Sequence, residues 1–364
     1  MEADVVQSTL IRSFLSLVTP ALLAAALPAQ LTKMDELVLA PNDSARSVDV
    51  EWPYAWVATF GDGIQHQVDL SVPLQLGYLG NFNPAWGDQW GESIVRTGRL
   101  VCGHRFGGLN LWDVAGTPFQ LDSVSTAYHF DGLAQLDYQG QDLLFYSEAN
   151  TTNGQAGLIV YDLGAGQLNP IGQSMAGNAL RDGRFLTVTN DGWVYQLDGG
   201  AGSTRPLMLN VYDAAVPSNP TFSQQFDMGC AVGSYIGNTD LQLHPAQNIL
   251  YAACGYDGLR VLDIQNRPNP VLLNTLGAPG VAVKELDWGE GTSYMLVTVR
   301  LPNNESRFLI LNCANPVNPV MVGNLMGDPG FTIHDIIGLA HATGPIVLVA
   351  GSDVNGDAVL QLWM

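Results

Sequence analysis

The sequence predicts an all-β fold, because a short apolar strand that ends on an acidic or amide residue recurs along the chain. Prolines follow most copies within a few residues, as is typical of a turn that leads to an outer strand. A unit that recurs every ~40–55 residues is one supersecondary module repeated, and all-β modules of that length form β-propellers. The six copies are IQHQVDLSVP (64–73), LNLWDVAGTP (109–118), LIVYDLGAGQLNP (158–170), LNVYDAAVPSNP (209–220), LRVLDIQNRPNP (259–270) and FLILNCANPVNP (308–319).

The repeat predicts seven blades, each with four strands of alternating or apolar character. The fifth blade shows these strands most clearly, as TDLQLHP, ILYAACG, LRVLDI and PVLLNTLG. The last blade lacks a fourth strand, whereas an unassigned strand, ELVLAP (36–41), precedes the first blade. Closure of the last blade by this N-terminal strand removes an open edge, so residues 31–364 are predicted to form one seven-bladed β-propeller domain. The predicted blades cover residues 47–80, 92–125, 131–175, 178–228, 238–277, 283–326 and 333–364.

The aspartate that closes each third strand is interpreted as a turn cap. An Asp side chain at that place can accept a hydrogen bond from the backbone N–H two residues on, which fixes the turn. These residues are therefore not predicted to be catalytic, and they are Asp69, Asp113, Asp162, Asp213 and Asp263.

The composition indicates an acidic protein with few cations. The formal net charge is −20, and Lys33 and Lys284 are the only lysines. No basic patch for phosphates is therefore expected, which disfavours nucleic acid as a partner. The negative charge also disfavours anionic membranes and favours divalent cations such as Ca²⁺. The chain is expected to be a monomer.

Residues 1–30 differ from the rest of the chain. Residues 13–29 form an uncharged apolar run that Arg12 precedes, and its length fits a signal-peptide core better than a membrane span. Glu2 and Asp4 depart from the basic start of most signal peptides. We predict export, which would place the protein in the periplasm, on the cell surface or outside the cell. The alternative is an N-terminal helix packed on the core.

The four cysteines leave two alternatives open. Their spacing contains no CxxC pair, which argues against a zinc or redox site. Cys230 and Cys254 could form one disulfide, or all four cysteines could be buried free thiols.

A second column of acidic and amide residues lies at the predicted starts of the innermost strands. Innermost strands line the central channel, so this column is predicted to form a ring at one mouth of the channel. Crowded carboxylates take up protons, stay hydrated or share a cation, and oxygen ligands of this kind suit Ca²⁺. The alternative is that these acids bond to the backbone of the neighbouring blade and act as staples. The seven residues are Asp49, Glu92, Asp131, Asn178, Asp240, Glu285 and Asp335.

Two histidines adjoin this column, His129 in HFD and His334 in IHD. A histidine beside carboxylates can act as a general base, so these two are the candidate catalytic residues. The alternative is that each is a polar residue at a strand start.

Two aromatic segments are predicted to bind a ligand. Trp86 and Trp90 lie among turn-forming residues between the first two blades, where they would either cover the core or stack on a sugar or peptide. Residues 189–206 are interpreted as an insertion between the second and third strands of the fourth blade, and they contain Trp193 and Tyr195. Long loops on a rigid scaffold commonly carry binding specificity.

The repeat resembles the LVIVP-repeat family of bacterial β-propellers. The resemblance is close in LRVLDIQNRPNPVLLNTLG, LNVYDAAVPSNPTF and FLILNCANPVNPVMVGNL, is looser in the first three copies, and covers nearly all of residues 47–364. It implies the propeller fold and an extracytoplasmic setting. The family has no defined activity, so no catalytic residue is transferred.

The sequence favours an exported, non-enzymatic propeller that binds a protein or glycan partner through its longer loops. No nucleophile-elbow, Walker, HExxH or dinucleotide-binding pattern is present. The alternative is a Ca²⁺-dependent hydrolase, such as a lactonase or esterase, in which the ion at the channel mouth polarises a carbonyl and His129 or His334 activates water.

Overall fold

A computed structural model describes residues 31–61, 63–83, 93–104, 108–125, 132–150, 155–175, 183–198, 206–231, 239–289, 293–326, 328–341 and 344–364. All regular elements in these ranges are β-strands, and they form seven four-stranded antiparallel sheets. The described residues contain no apolar helix of membrane-spanning length. The protein is a seven-bladed β-propeller, and the predicted fold class is confirmed.

The strands follow the predicted blades to within a few residues. Strand β1 spans Lys33–Ala40. Blade 1 contains β2 (Ala45–Glu51), β3 (Tyr54–Thr59), β4 (Gln65–Asp69) and β5 (Gly77–Phe82). Blade 2 contains β6 (Ser93–Arg96), β7 (Arg99–His104), β8 (Gly108–Asp113) and β9 (Phe119–Ser125). Blade 3 contains β10 (Leu133–Tyr138), β11 (Gln141–Asn150), β12 (Gln155–Asp162) and β13 (Asn169–Met175).

The remaining blades repeat this order. Blade 4 contains β14 (Gly183–Val188), β15 (Trp193–Asp198), β16 (Met208–Asp213) and β17 (Thr221–Asp227). Blade 5 contains β18 (Thr239–Leu243), β19 (Ile249–Cys254), β20 (Leu259–Asp263) and β21 (Val271–Leu276). Blade 6 contains β22 (Ala282–Trp288), β23 (Tyr294–Arg300), β24 (Ser306–Asn312) and β25 (Val320–Met326). Blade 7 contains β26 (Thr332–His341), β27 (Gly344–Ser352) and β28 (Ala358–Trp363).

Strand β1 supplies the fourth strand of blade 7. It pairs antiparallel with β28, in a register that places Leu37 opposite Leu360 and Val38 opposite Val359. The first strand of each blade contacts the first strands of both neighbouring blades, all the way round the ring. These seven strands therefore line the central channel, and the predicted N-terminal closure is confirmed.

The hydrophobic core is divided among the junctions between blades. One buried cluster lies at each of the seven junctions. Strand β19 shows why, since all six of its residues are buried. Successive side chains of a strand point to opposite faces of the sheet. Leu250 and Ala252 therefore pack toward blade 4, while Tyr251 and Ala253 pack toward blade 6.

The repeated turn after each third strand has the predicted cap. In all six copies Oδ1 of the last strand residue accepts a hydrogen bond from the backbone N–H two residues on, at 2.7–3.1 Å. The caps are Asp69, Asp113, Asp162, Asp213, Asp263 and Asn312. The interpretation of the aspartates as turn caps is confirmed.

The strands correct one further prediction, and the cysteines decide between the two alternatives left open by the sequence. The predicted insertion at residues 189–206 is too long, because residues 189–198 contain the turn after β14 and the whole of β15, and the connection between the second and third strands of blade 4 spans residues 199–207. Cys102, Cys230, Cys254 and Cys313 are all buried free thiols, so the disulfide between Cys230 and Cys254 is not formed.

Candidate functional site at the mouth of the central channel

The two faces of the propeller differ in their connections. The innermost strands begin on one face, here called the loop face, and the longest connections between blades, residues 83–92 and 228–238, have both ends there. The opposite face, here called the turn face, carries the turns after the first strands and the capped turns after the third strands. Trp86, Trp90, His129, Glu92, Asp131 and Asn178 lie outside the described residues.

Four aspartates join consecutive blades around the channel. In each, one carboxylate oxygen accepts the N–H of the next residue, and the other accepts an N–H from the innermost strand of the following blade. The bonds between blades are Asp240 to Leu286 N at 2.7 Å, Asp287 to Gly338 N at 2.7 Å, Asp335 to Val48 N at 2.7 Å and Asp49 to Val95 N at 2.6 Å. We call these four residues the staple aspartates.

The staple aspartates fit the alternative in which the acids of the column bond to the backbone of the neighbouring blade. Asp49, Asp240 and Asp335 direct both carboxylate oxygens at backbone N–H groups. In the part of the chain that the structure describes, no three His, Cys, Asp or Glu side chains are grouped to hold a metal ion. The described members of the column therefore do not favour the calcium hypothesis.

Burial changes the protonation of the channel carboxyls. It raises the pKa of Asp49 to about 7, that of Glu285 to about 7 and that of Asp287 to about 6. Burial, followed by the charge of Glu285, raises the pKa of Asp240 and Asp335 well above the usual value. The channel therefore gains negative charge as pH rises through neutrality.

We expect the melting temperature to fall as pH rises from about 6.5 to about 8, because the folded carboxyls hold protons that unfolded Asp and Glu release near pH ~4. Folded Asp49 and Glu285, with pKa values of about 7, lose these protons in this window. The free energy of unfolding falls with rising pH wherever the folded state binds more protons than the unfolded state. Unfolded His66, His104 and His334 release protons near pH ~6.5 whereas the folded rings are already neutral, so they oppose this trend at the lower end of the window and no longer above pH ~7.5. Thermal melts at constant ionic strength measure the effect, and a constant or rising melting temperature would contradict it.

The channel mouth on the loop face also holds a group of cations that the sequence did not predict. Arg46, Lys284 and His334 each lie at a β-bulge near the start of an innermost strand, in blades 1, 6 and 7. A bulge inserts an extra residue and re-aims its side chain. Arg300, at the end of β23, pairs with Ala282 beside the same mouth. We call Arg46, Lys284 and Arg300 the channel cations.

His334 is held in one neutral form and is a poor general base. Nη1 of Arg46 lies 3.2 Å from its Nδ1, and Ser352 Oγ lies 3.3 Å from its Nε2. A guanidinium can only donate, so Nδ1 is the acceptor and Nε2 carries the proton that Ser352 accepts. Burial, then the charge of Arg46, lowers the pKa of His334 to about 2. The predicted role of His334 as a catalytic base is therefore not supported by its surroundings.

Trp193 and Tyr195 do not form the predicted binding loop. Trp193 begins β15 at the turn face, where its backbone N–H donates to Thr189 Oγ1 at 3.0 Å. Tyr195 is fully buried, and its hydroxyl donates to the carbonyl of Arg267 at 3.0 Å. Tyr195 is a core residue, and Trp193 lies on the face opposite the end of β5 and the start of β6.

The comparisons with known proteins support the fold. No family model matches the sequence, and no curated protein matches it. The β-propeller domain of Cps50 (Swd1) from Myceliophteria thermophila is similar at a TM-score of 0.65 and 13% identity, over 92% of this chain and 99% of that chain. Sqt1 from Saccharomyces cerevisiae is similar at a TM-score of 0.59 and 11% identity, over 92% of this chain and 98% of that chain. Likeness at such identities shows the fold alone.

The sequence reasoning missed one staple as well as the channel cations. It assigned Glu285 to the acidic column, whereas Asp287 makes the bond to blade 7. It also missed similar bonds between blades at the outer strands. There Asp35 accepts a hydrogen bond from the N–H of Leu76 at 2.7 Å, and Asp122 accepts one from the N–H of Leu168 at 2.8 Å. An acid in the middle of an outer strand, followed 41 or 46 residues later by the residue that donates its backbone N–H, is the signal that could have found them.

Proposed function

We propose that the protein is a non-enzymatic binding scaffold whose loop face engages a protein or glycan partner. The observation that carries this proposal is the difference between the two faces. The turn face repeats one capped turn in six blades, whereas the loop face has the longest connections and the channel cations. Variable loops on a rigid scaffold are where binding residues are usually found.

The described residues give no support to the hydrolase alternative. His334 is neutral, with both ring nitrogens in contact with partners. The oxygens of the staple aspartates accept hydrogen bonds from backbone N–H groups, so these four side chains act as links between blades rather than as an open set of metal ligands. A rigid ring held together in this way is suited to presenting loops.

Tryptophan variants on the two faces test the proposal. We expect Trp86→Ala combined with Trp90→Ala to abolish capture of the partner from an extract of the source organism, because both residues lie in the longer connection after β5. Trp52→Ala is the matched control, since Trp52 is 48% exposed between β2 and β3 on the turn face. Affinity capture read by mass spectrometry, together with a glycan array, measures binding. Equal capture by the wild type, the double variant and the control would overturn the proposal.

We further propose that the protein acts outside the cytoplasm as a monomer. The apolar run at residues 13–29 and the resemblance to LVIVP-repeat propellers support this setting. N-terminal sequencing of the protein from its own cells tests it, and a mature chain that still begins at Met1 would argue against cleavage of a signal peptide.

A further inference from the structure

Cys230 and Cys254 lie beside each other in the core between blades 4 and 5. Both belong to the buried cluster at this junction, with exposed fractions of 5% and 0%. Burial, followed by a hydrogen bond with the thiol of Cys230, raises the pKa of Cys254 well above its usual value. The two side chains are therefore in contact, although one comes from a connection and the other from the end of β19.

The guanidinium of Arg260 joins the connection between blades 4 and 5 to blade 5. Its Nε donates to the carbonyl of Met228 at 3.2 Å, and its Nη2 donates to that of Gly229 at 3.1 Å. Its Nη1 donates to the carbonyl of Asp257, in the hairpin between β19 and β20, at 2.8 Å. One buried side chain therefore holds the hairpin to the two residues that precede Cys230.

The residue after Cys230 is held to the same hairpin. The N–H of Ala231 donates to Asp257 Oδ2 at 2.6 Å. Hydrogen bonds therefore lie on both sides of Cys230, and they keep its side chain beside Cys254. Residues 228–231 lie outside the strands, so residue 230 can move closer to Cys254 without the loss of a strand pair.

The other two cysteines lie at other junctions. Cys102 belongs to the cluster between blades 1 and 2, and Cys313 belongs to the cluster between blades 5 and 6. The thiol of Cys313 donates to the carbonyl of Leu311 at 3.8 Å. All four cysteines are in the part of the chain that the structure describes, and they comprise one adjacent pair and two separate thiols.

We propose that Cys230 and Cys254 are a redox pair that forms a disulfide with a disulfide oxidant and thereby locks the start of the connection at residues 228–238 onto blade 5. This connection has its ends on the loop face, so the inference deepens the proposed function and rests on it for its meaning. The structure shows the pair in its reduced form. A setting outside the cytoplasm favours the oxidised form.

The oxidation is a two-electron thiol–disulfide exchange. Cys230, which keeps a small exposed fraction, loses its proton and attacks one sulfur of the oxidant, whose S–S bond breaks and releases a first thiol. Cys254 loses its proton and attacks the sulfur of Cys230, and the bond from Cys230 to the oxidant breaks and releases a second thiol. The charge of Arg260 favours the thiolate of Cys254. Two cysteines are oxidised, the oxidant is reduced to two thiols, and these two thiols take up the two protons.

Alkylation measures the pair directly. Reduced protein is refolded from urea with oxidised glutathione, so that burial of the thiols does not limit the reaction, and is then denatured and treated with iodoacetamide. We expect two alkyl groups on the oxidised protein and four on the reduced protein, with residues 230 and 254 joined in the peptide map. Four alkyl groups after oxidation, a lasting glutathione adduct, or a bond to Cys102 or Cys313 would overturn the inference.

Two double variants provide the matched control. Cys102→Ala combined with Cys313→Ala keeps the pair, so neither remaining thiol should be alkylated after oxidation. Cys102→Ala combined with Cys230→Ala keeps Cys254 and Cys313, which lie in different clusters, so both should be alkylated. Equal alkylation of the two variants would contradict a specific pair.

The lock has its own measurements. A bond between residues 230 and 254 restricts the unfolded chain, so the oxidised protein should melt about 5 °C above the reduced protein. Hydrogen exchange at residues 228–231 should slow about tenfold on oxidation, because local opening of this segment would be restricted. Cys230→Ala should show neither effect. If the wild type showed neither effect, the bond would not lock the connection.

Capture of the partner links the lock to the proposed function. We expect the oxidised protein to retain more partner than the reduced protein, because a connection that is already fixed loses less conformational entropy on binding. Equal capture by the two forms would overturn the role of the lock in binding. A disulfide without capture of any partner would overturn the proposed function alone, and capture by a protein that forms no disulfide would overturn this inference alone.

Discussion

Replacing Asp335 by alanine is expected to lower the free energy of unfolding by about 3 kcal/mol. The Asp335 carboxylate accepts hydrogen bonds from Ile336 N at 2.8 Å and from Val48 N at 2.7 Å. The second bond crosses the junction between the last and the first blade, where the ring closes. Alanine would leave two N–H groups of buried residues without this acceptor, at about 1–3 kcal/mol each. Urea denaturation followed by tryptophan fluorescence measures the change.

A turn cap is the matched control for this staple. Asp263 accepts the N–H of Gln265 at 2.8 Å, and Gln265 is exposed, so water can replace the carboxylate there. Asp263→Ala should therefore cost only about 1 kcal/mol. Asp335→Asn keeps one acceptor oxygen and should lie between the two alanine variants. If Asp335→Ala cost no more than Asp263→Ala, the bond to Val48 would not hold the ring together.

The architecture could be predicted because it depends on features local to each repeat. A third strand such as LRVLDI, its cap at Asp263 and the prolines that follow lie within about a dozen residues, so their order and spacing are visible in the chain. The strand that closes the ring was also predictable, since residues 333–364 contain only three strand segments and the unassigned strand ELVLAP precedes blade 1. The structure places β1 at Lys33–Ala40, a few residues earlier than the predicted 36–41.

The role of the acidic column could not be predicted from position alone. A carboxylate at the start of an innermost strand can face the channel or reach the next blade. Which of the two it does depends on how far the neighbouring innermost strands are offset along their length, and the sequence does not show this offset. In blade 6 the irregularity between Val283 and Leu286 also moves the staple from Glu285 to Asp287.

The channel cations were missed for a related reason. Arg46, Lys284 and Arg300 come from strands that are far apart in sequence, and the sequence alone shows them as isolated cations in an acidic chain. Bulges at Arg46 and Lys284 re-aim two of these side chains. The misreading of residues 189–206 differs in kind, because the glycines at 199, 200 and 202 masked the alternation of WVYQLD in β15.

Removal of residues 1–41 is expected to abolish the cooperative folded state. The deletion takes away β1 and leaves β28 as an open edge, although all six residues of β28 are buried in the closed ring. It also removes the partly buried Leu37 and Leu39 from the cluster between blades 7 and 1, where full burial of one leucine side chain would contribute about 1.5–3 kcal/mol. An unpaired apolar edge strand is a site of aggregation. Size-exclusion chromatography and thermal melts measure the outcome.

The control for this deletion is a chain that begins at residue 31. It keeps β1 and every described strand, so it should melt cooperatively at the temperature of the full-length protein. A peptide of residues 31–41 added to the longer deletion should restore part of the folded signal, because its pairing with β28 needs only backbone hydrogen bonds and the apolar contacts of one strand face. If the chain without β1 melted cooperatively within a few degrees of the control, the three strands of blade 7 would close the ring unaided. In that case the pairing of β1 with β28, which sets Leu37 opposite Leu360, would not be needed to close the ring. The burial of both faces of β28 indicates instead that β1 completes the last blade.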